Sequence, residues 1–326
     1  MTPVILAIVI SLVASYLLTP LVGKLAWRFG AVDHPGERRV HTAPTPRFGG
    51  VAIYVAFVAA VLISLWASKS VAHYEQIAGV LIAGSIVAAV GVLDDKYNLS
   101  PLFQIIGILA ATCVLVKYGI KISYVTRPFG GHSLIVLGAL AFPVTAVWVF
   151  GVTKTVDLID GLDGLAAGIC AIAATTLLLM AIQAQAKETA LAGSFHNVTL
   201  MAGALLGASL GFLRHNYPPA KIFMGTVGSQ FMGFVLASIS IVGAFKVATL
   251  VAVAVPVFAL GVPIIDAAFV VFRRFRERRP VHLADKTHVH HRLLDRGLSH
   301  GQVVLIIYGV TIILSAAALT LYAALR

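Results

Sequence analysis

Long apolar stretches constrain the fold of this chain more than any other feature of its sequence. Ten stretches of 15 to 25 residues carry almost no charged side chain. A helix needs roughly 20 apolar residues to cross the hydrocarbon core of a bilayer, and shorter spans draw on flanking residues. The predicted spans are residues 3–22, 48–66, 77–93, 102–116, 134–152, 165–182, 198–213, 231–245, 248–272 and 303–325.

The composition is not that of a water-soluble globular protein. Only 11% of the 326 residues are charged and 59% are hydrophobic, and the mean hydropathy is +0.96. Charges are therefore too scarce to cover a soluble surface of this size. We predict an all-α integral membrane protein, a polytopic bundle of about ten transmembrane helices, formed by a single domain over residues 1–326.

Positive charge is unevenly distributed between the two sets of connecting loops. With the N-terminus outside, the loops 23–47, 94–101, 153–164, 214–230 and 273–302 hold 17 of the 24 Lys and Arg residues. Because Lys and Arg accumulate in cytoplasmic loops, these five are predicted to be inner loops on the cytoplasmic side of the membrane. The formal net charge of +11 favours membrane lipid and phosphate partners. Nucleic acid is not an expected partner.

Acidic residues and histidines show the same asymmetry. Ten of the 13 Asp and Glu residues and eight of the 11 His residues fall in the five inner loops. An enzyme with one catalytic face is expected to show this pattern, whereas a transporter more often places ionisable groups near the bilayer midplane. The general polarity of cytoplasmic loops is an alternative explanation. The sequence motifs in these loops are therefore needed to distinguish an enzyme from an ordinary membrane protein.

The first two inner loops contain groups suited to phosphate and metal binding. In the first, Arg38 and Arg47 can form charge-assisted hydrogen bonds to phosphate. In the second, Asp94 and Asp95 repel each other, and a divalent cation would relieve this repulsion. Lys96 beside them is a suitable point charge for a phosphate. An ordinary basic loop and a solvated helix end are the alternatives.

The third inner loop, with the sequence TKTVDLIDGLDGLAAG, places three carboxylates within seven residues. Asp157, Asp160 and Asp163 share one face if this segment is helical, a pattern that favours a metal, nucleotide or acid–base site. The fourth loop carries the sequence GTVGS before the eighth span. Such a helix start offers backbone N–H groups to phosphate, although glycine there also serves helix packing.

The fifth inner loop is rich in histidine and arginine. Zinc binding and anion binding are both consistent with its histidines. Because no cysteine lies nearby and arginine is abundant, the sequence favours binding of an anion or a nucleotide. The cluster consists of His288, His290, His291 and Arg292.

In this order and between these spans, the five motifs resemble those of the polyprenyl-phosphate N-acetylhexosamine-1-phosphate transferases. The resemblance covers nearly the whole chain, and THVHHRLLDRGLSH is similar to the WecA/TagO branch rather than to the MraY branch. The resemblance implies that a sugar 1-phosphate is transferred from a UDP-N-acetylhexosamine to undecaprenyl phosphate or another polyprenyl phosphate. In the WecA/TagO branch the transferred group is GlcNAc-1-phosphate. UMP would be the second product, and the pathway would be cell-wall or surface glycan synthesis. The sequence does not determine the oligomeric state, and a homodimer is compatible with it.

The resemblance also implies a Mg²⁺ cofactor, with Mn²⁺ as a substitute, bound at a cytoplasmic active site. The implied catalytic residues are Asp94, Asp95, Asp160 and Asp163, and the implied metal ligands are Asp94, Asp95 and Thr226. The implied substrate-binding residues are Lys96, Arg38, Arg47, Asp157, His288, His290, His291 and Arg292.

Two departures from the family pattern affect the expected metal site. The family has Asn where this chain has Lys154 and Asp157, and it has a magnesium-binding Asp where this chain has Thr226. Loss of that carboxylate is consistent with a second hypothesis, a catalytically impaired paralogue that binds lipid phosphate or nucleotide sugar. The added carboxylate of Asp157 is a candidate for compensation.

The charge asymmetry predicts the orientation of the chain in the membrane. A cysteine placed in the loop 117–133 should react with a membrane-impermeant maleimide in intact cells, and one placed in 273–302 should react only after permeabilisation. The reverse labelling pattern would contradict the predicted orientation and the cytoplasmic active site.

Overall fold

The computed structural model describes residues 2–33, 44–68, 74–126, 134–185, 192–243 and 293–324. Within these ranges eight helices are long and apolar enough to cross a membrane, and α4 is a shorter apolar helix. The predicted all-α, polytopic membrane fold is therefore confirmed. The helices are α1 (Thr2–Phe29), α2 (Gly49–Ser68), α3 (Tyr74–Tyr97), α4 (Pro101–Lys117), α5 (Ala141–Ile159), α6 (Leu165–Gln185), α7 (Ala192–Asn216), α8 (Gly225–Val242) and α9 (His300–Ala324).

Nine of the ten predicted spans overlap these helices, and the span 248–272 lies outside the described residues. Several residues with predicted roles also lie outside the described ranges. They are Arg38, His288, His290, His291 and Arg292.

The helices extend further than the predicted spans at the polar face. α3 continues to Tyr97, α5 continues to Ile159, and α8 begins at Gly225 rather than at residue 231. A hydropathy criterion ends a span at the first charged residue, whereas the backbone hydrogen bonds continue as a helix leaves the apolar layer. Polar residues that were predicted to lie in loops therefore lie on helix ends.

Two short antiparallel strand pairs join helices. β1 (Val32–Asp33) pairs with β2 (Thr45–Pro46), and β3 (Tyr124–Thr126) pairs with β4 (Leu134–Val136). After β2 the chain bonds to the segment that precedes α8. The Phe223 amide donates to the Pro46 carbonyl at 2.8 Å, and the Gly49 amide donates to the Phe223 carbonyl at 3.0 Å. These bonds align the starts of α2 and α8.

Small residues allow α7 to pack closely against α1. Gly203, Gly207 and Gly211 recur every four residues and so lie on one face of α7. A β-carbon on Gly207 would lie 2.2 Å from the Ile8 carbonyl oxygen. The Ser15 hydroxyl on α1 donates to the Ala208 carbonyl at 2.8 Å. In an apolar solvent, such close backbone approach and hydrogen bonding replace the hydrophobic effect in holding helices together.

The first turn of α8 is surrounded by backbone from α2 and α3. A β-carbon on Gly50 would lie 2.1 Å from the Gly228 nitrogen, and one on Gly91 would lie 2.4 Å from the α-carbon of Val227. The side chains of α8 are almost all buried. This helix is therefore central to the described bundle, and its first turn lies beside the end of α3.

Candidate active site

Polar side chains gather at one end of the bundle, where α3 and α5 end and where α4 and α8 begin. Helix ends leave backbone groups without intrahelical partners, so polar residues are favoured there. The described members of this cluster are Arg47, Asp94, Asp95, Gln104, Lys154, Asp157, Asp160, Asp163, Ser229 and Gln230.

Asp95 caps the N-terminus of α8. Its Oδ1 accepts the Thr226 amide at 2.8 Å, and its Oδ2 accepts the Val227 amide at 3.2 Å. The Arg47 guanidinium lies 3.8 Å from Oδ1. The residue is buried, with 4% exposure. Both oxygens therefore accept donors at the positive end of a helix dipole, and these interactions offset part of the cost of burying a carboxylate.

Gly225 makes this cap sterically feasible. Its φ of +71° lies in the left-handed region, which glycine adopts without strain. A β-carbon here would lie 2.3 Å from Oδ2 of Asp95 and 2.2 Å from the Arg47 carbonyl oxygen. The glycine-rich start of α8 thus binds the side-chain carboxyl group of Asp95.

Asp94, the adjacent carboxylate, enters a different hydrogen-bond network. Its Oδ1 accepts Nε2 of Gln104 at 2.9 Å. Oε1 of Gln104 accepts the Lys154 ammonium at 2.7 Å and the Gln230 amide at 2.9 Å. Because an ammonium can only donate, the orientation of the Gln104 amide is fixed by Lys154. This single side chain connects α3, α4, α5 and α8.

Asp157 lies within the same network, in the last turn of α5. Its Oδ2 accepts the Lys154 ammonium at 2.5 Å and the Gln230 amide at 3.2 Å. Its Oδ1 accepts the Ser229 hydroxyl at 2.6 Å. One cationic donor and two neutral donors therefore satisfy this carboxylate, which is 19% exposed.

Asp160 follows the last residue of α5 and accepts no hydrogen bond from the described residues. Burial raises the pKa of its carboxyl group, and the neighbouring carboxylates of Asp157, Asp95 and Asp163 raise it further, to about 8. The concentrated negative charge attracts a cation or a proton to this position.

Asp163 helps to fasten the connection between α5 and α6. Its Oδ2 accepts the Ala220 amide at 2.9 Å. Oδ1 of Asn216 accepts the Gly164 amide at 2.9 Å, while Nδ2 of the same side chain donates to the Ile222 carbonyl at 2.9 Å. The Tyr308 hydroxyl on α9 donates to the Gly164 carbonyl at 2.5 Å. The third and fourth inner loops are thus held together.

The structure brings together most of the described residues with predicted roles, but not Lys96. The exposed Lys96 ammonium lies 4.9 Å from the centre of the Tyr97 ring and 5.8 Å from that of Phe29, a cation–π arrangement outside the Gln104 network. Its phosphate-binding role stays a prediction.

Sequence reasoning missed Gln104, Gln230, Asn216 and Tyr308. Gln104 and Gln230 are isolated amides near the ends of apolar stretches, and such a position is the only signal that the sequence offers for them. An uncharged polar residue inside a membrane helix is costly unless it is hydrogen-bonded, which marks it as a candidate network member.

A divalent cation such as Mg²⁺ requires several oxygen ligands that converge on one position. Among the described residues, no three His, Cys, Asp or Glu side chains converge on one ion position. Magnesium, however, commonly binds through one or two carboxylates together with substrate phosphates and water. Asp160, whose oxygens accept no hydrogen bond within the described ranges, fits this second arrangement. Metal binding by Asp94, Asp95 and Thr226 stays a prediction.

Comparison with known proteins places the chain in a family. Residues 77–244, more than half of the chain, match the model described as glycosyl transferase family 4. The chain belongs to glycosyl transferase family 4.

Three relatives illustrate the range of this similarity. The chain is 37% identical to a probable undecaprenyl-phosphate N-acetylglucosaminyl 1-phosphate transferase of Bacillus subtilis, over 99% of the chain and 86% of the relative. It is 35% identical to a decaprenyl-phosphate N-acetylglucosaminephosphotransferase of Mycobacterium leprae, over 95% and 82%. It is 29% identical to a phospho-N-acetylmuramoyl-pentapeptide-transferase of Pelobacter propionicus, over 97% and 91%.

The region matched by the family 4 model spans α3 to α8 and so contains nearly all of the described polar cluster. Arg47, which pairs with Asp95, precedes this region. The family match therefore coincides with the carboxylates rather than with the outer helices α1 and α9.

The two adjacent carboxylates should differ in their contribution to stability. Asp95→Asn cannot accept both amide hydrogen bonds of α8, and its unfolding free energy should fall by about 2 kcal/mol. Asp94→Asn is the matched control, because its amide oxygen can still accept Gln104. Thermal unfolding in detergent measures the difference, and equal midpoints for the two variants would contradict the capping role of Asp95.

Proposed function

We propose that this protein transfers GlcNAc-1-phosphate from UDP-GlcNAc to a polyprenyl phosphate, undecaprenyl phosphate in particular. The products are UMP and a lipid-linked diphosphate sugar, which serves cell-wall or surface glycan synthesis. The observation that carries the proposal is the concentration of carboxylates around Asp160, inside the region that matches the family model. The names of the relatives, which specify N-acetylglucosamine 1-phosphate and a polyprenyl phosphate, support this substrate class.

The reaction exchanges one phosphoanhydride bond for another. An oxygen of the lipid phosphate attacks the sugar-bearing β-phosphorus of the donor, and the bond from that phosphorus to the bridging oxygen breaks. The electron pair leaves with the α-phosphate, which departs as UMP. A phosphate monoester has its second pKa near 6, so the attacking group is already largely ionised at pH 7. Positioning and charge neutralisation are therefore the main requirements.

The proposed roles follow from the hydrogen bonds that the surrounding residues make and that Asp160 lacks. Asp160 would bind Mg²⁺, with Asp94 as a further carboxylate, and the ion would neutralise the charge of the donor's pyrophosphate. Asp163 and Asp157 hold the segment that carries Asp160. Arg47 retains further guanidinium donors for phosphate beside its contact with Asp95.

We propose that the site faces the cytoplasm from a bacterial inner membrane. The distribution of Lys and Arg supports this orientation. UDP-sugars are water-soluble and polyprenyl phosphates are membrane-bound, so the reaction requires a site at the membrane surface. The exposed apolar faces of the outer helices support contact with lipid.

A second candidate function is binding without turnover. Thr226 supports this alternative because its side chain is a hydroxyl where the family pattern has a carboxylate, and a hydroxyl is a weaker ligand for a hard cation. Donor binding without release of UMP, in the presence of undecaprenyl phosphate and Mg²⁺, would identify this function.

Purified protein with UDP-GlcNAc, undecaprenyl phosphate and Mg²⁺ should release UMP. Asp160→Asn should lower this rate by about 100-fold or more, because an amide is a poorer ligand for Mg²⁺ than a carboxylate. The unfolding midpoint should not fall, because the Asp160 carboxyl group accepts no hydrogen bond from the described residues. Glu75→Gln is the matched control, since it removes an exposed carboxylate from the opposite end of α3. A wild-type rate in Asp160→Asn would contradict the proposed site.

A further inference from the structure

We infer that Lys154 is a built-in cation of the active site and binds a phosphate oxygen of a substrate without the help of a metal ion. This inference rests on the proposed function, because it assigns the anion to a substrate of that reaction. The observation behind it is the position of the ammonium group within the network of Gln104 and Asp157.

Lys154 has one hydrogen-bond donor to spare. A lysine ammonium carries three N–H groups. Two acceptors are present, Oε1 of Gln104 at 2.7 Å and Oδ2 of Asp157 at 2.5 Å. Within the described residues the third N–H group has no acceptor, and the side chain is 25% exposed. The ammonium is thus both held in place and accessible to a ligand.

The partners of Lys154 keep its charge available. Ser229 and Gln230 also donate to Asp157, so the carboxylate spreads its charge over three donors. The other acceptor, Gln104, is neutral. A long lysine side chain near a membrane surface ordinarily extends into water and loses much freedom on binding. Here that freedom is already restricted, which favours binding of an anion.

A purely structural role is the competing explanation. Lys154 and Asp157 are three residues apart on α5, and the lysine would then serve only to neutralise the carboxylate. The two explanations differ for the double variant Lys154→Gln with Asp157→Asn. This variant removes both charges and keeps amide groups for hydrogen bonding. A structural role predicts that the double variant regains normal binding, whereas a phosphate-binding role predicts that it does not.

The phosphate could belong to the nucleotide sugar or to the lipid. Binding measurements in EDTA separate these sources, with UDP-GlcNAc as one probe and undecaprenyl phosphate in detergent as the other. Loss of a charge-assisted hydrogen bond should weaken binding of the relevant probe by roughly 10-fold to 100-fold in Lys154→Gln. Lys154→Arg should retain most of the binding. Lys24→Gln, which removes an exposed charge on α1, is the control and should bind both probes as the wild type does.

The inference is overturned if Lys154→Gln binds both probes as the wild type does in EDTA, or if the double variant regains wild-type affinity. These outcomes are independent of turnover. UMP release by a wild-type protein whose affinity does not depend on Lys154 would leave the proposed transferase function intact and remove only the inference. Conversely, metal-free binding that depends on Lys154, without UMP release, would support the inference and contradict the transferase function.

Discussion

The bond between the carboxyl group of Asp95 and the first turn of α8 determines where the rest of the site lies. Through it, the end of α3 is fixed to the most buried helix of the described bundle. Gly50 and Gly91 bring the backbones of α2 and α3 to the same turn, and Gly225 leaves room for the carboxyl oxygens. The helix dipole, the hydrogen bonds and the close packing thus all stabilise the first turn of α8. The position of this turn also determines where Ser229 and Gln230 lie.

Neighbouring carboxylates acquire different properties from their surroundings. Asp95 is saturated by donors of α8, and Asp157 is saturated by Lys154, Ser229 and Gln230. Asp160 accepts no hydrogen bond from the described residues, and its burial, together with the carboxylates around it, raises its pKa. Saturated carboxylates build a rigid frame, whereas an unsaturated one remains available to a cation. The division explains how a cluster of acids can be both structural and reactive.

The sequence was sufficient to predict the membrane fold and to name most of the residues that cluster at the candidate site. Hydropathy and charge allow this because they depend directly on the bilayer as solvent. It was not sufficient to distinguish Asp94 from Asp95, which are equivalent by spacing. Their difference arises from a helix that begins 130 residues later in the chain at Gly225. Gln104 was missed for the same reason, since its partners lie on three other helices.

In the proposed reaction the sugar and its phosphate move together to the lipid. The most direct test is a donor radiolabelled both in the sugar and in the β-phosphorus, followed by separation of the lipid fraction. Both labels should enter the lipid in equal amounts, and unlabelled UMP should be released. Sugar label in the lipid with β-phosphorus left in UDP would contradict the proposed reaction, because the bond to the sugar rather than the phosphoanhydride would then have been broken.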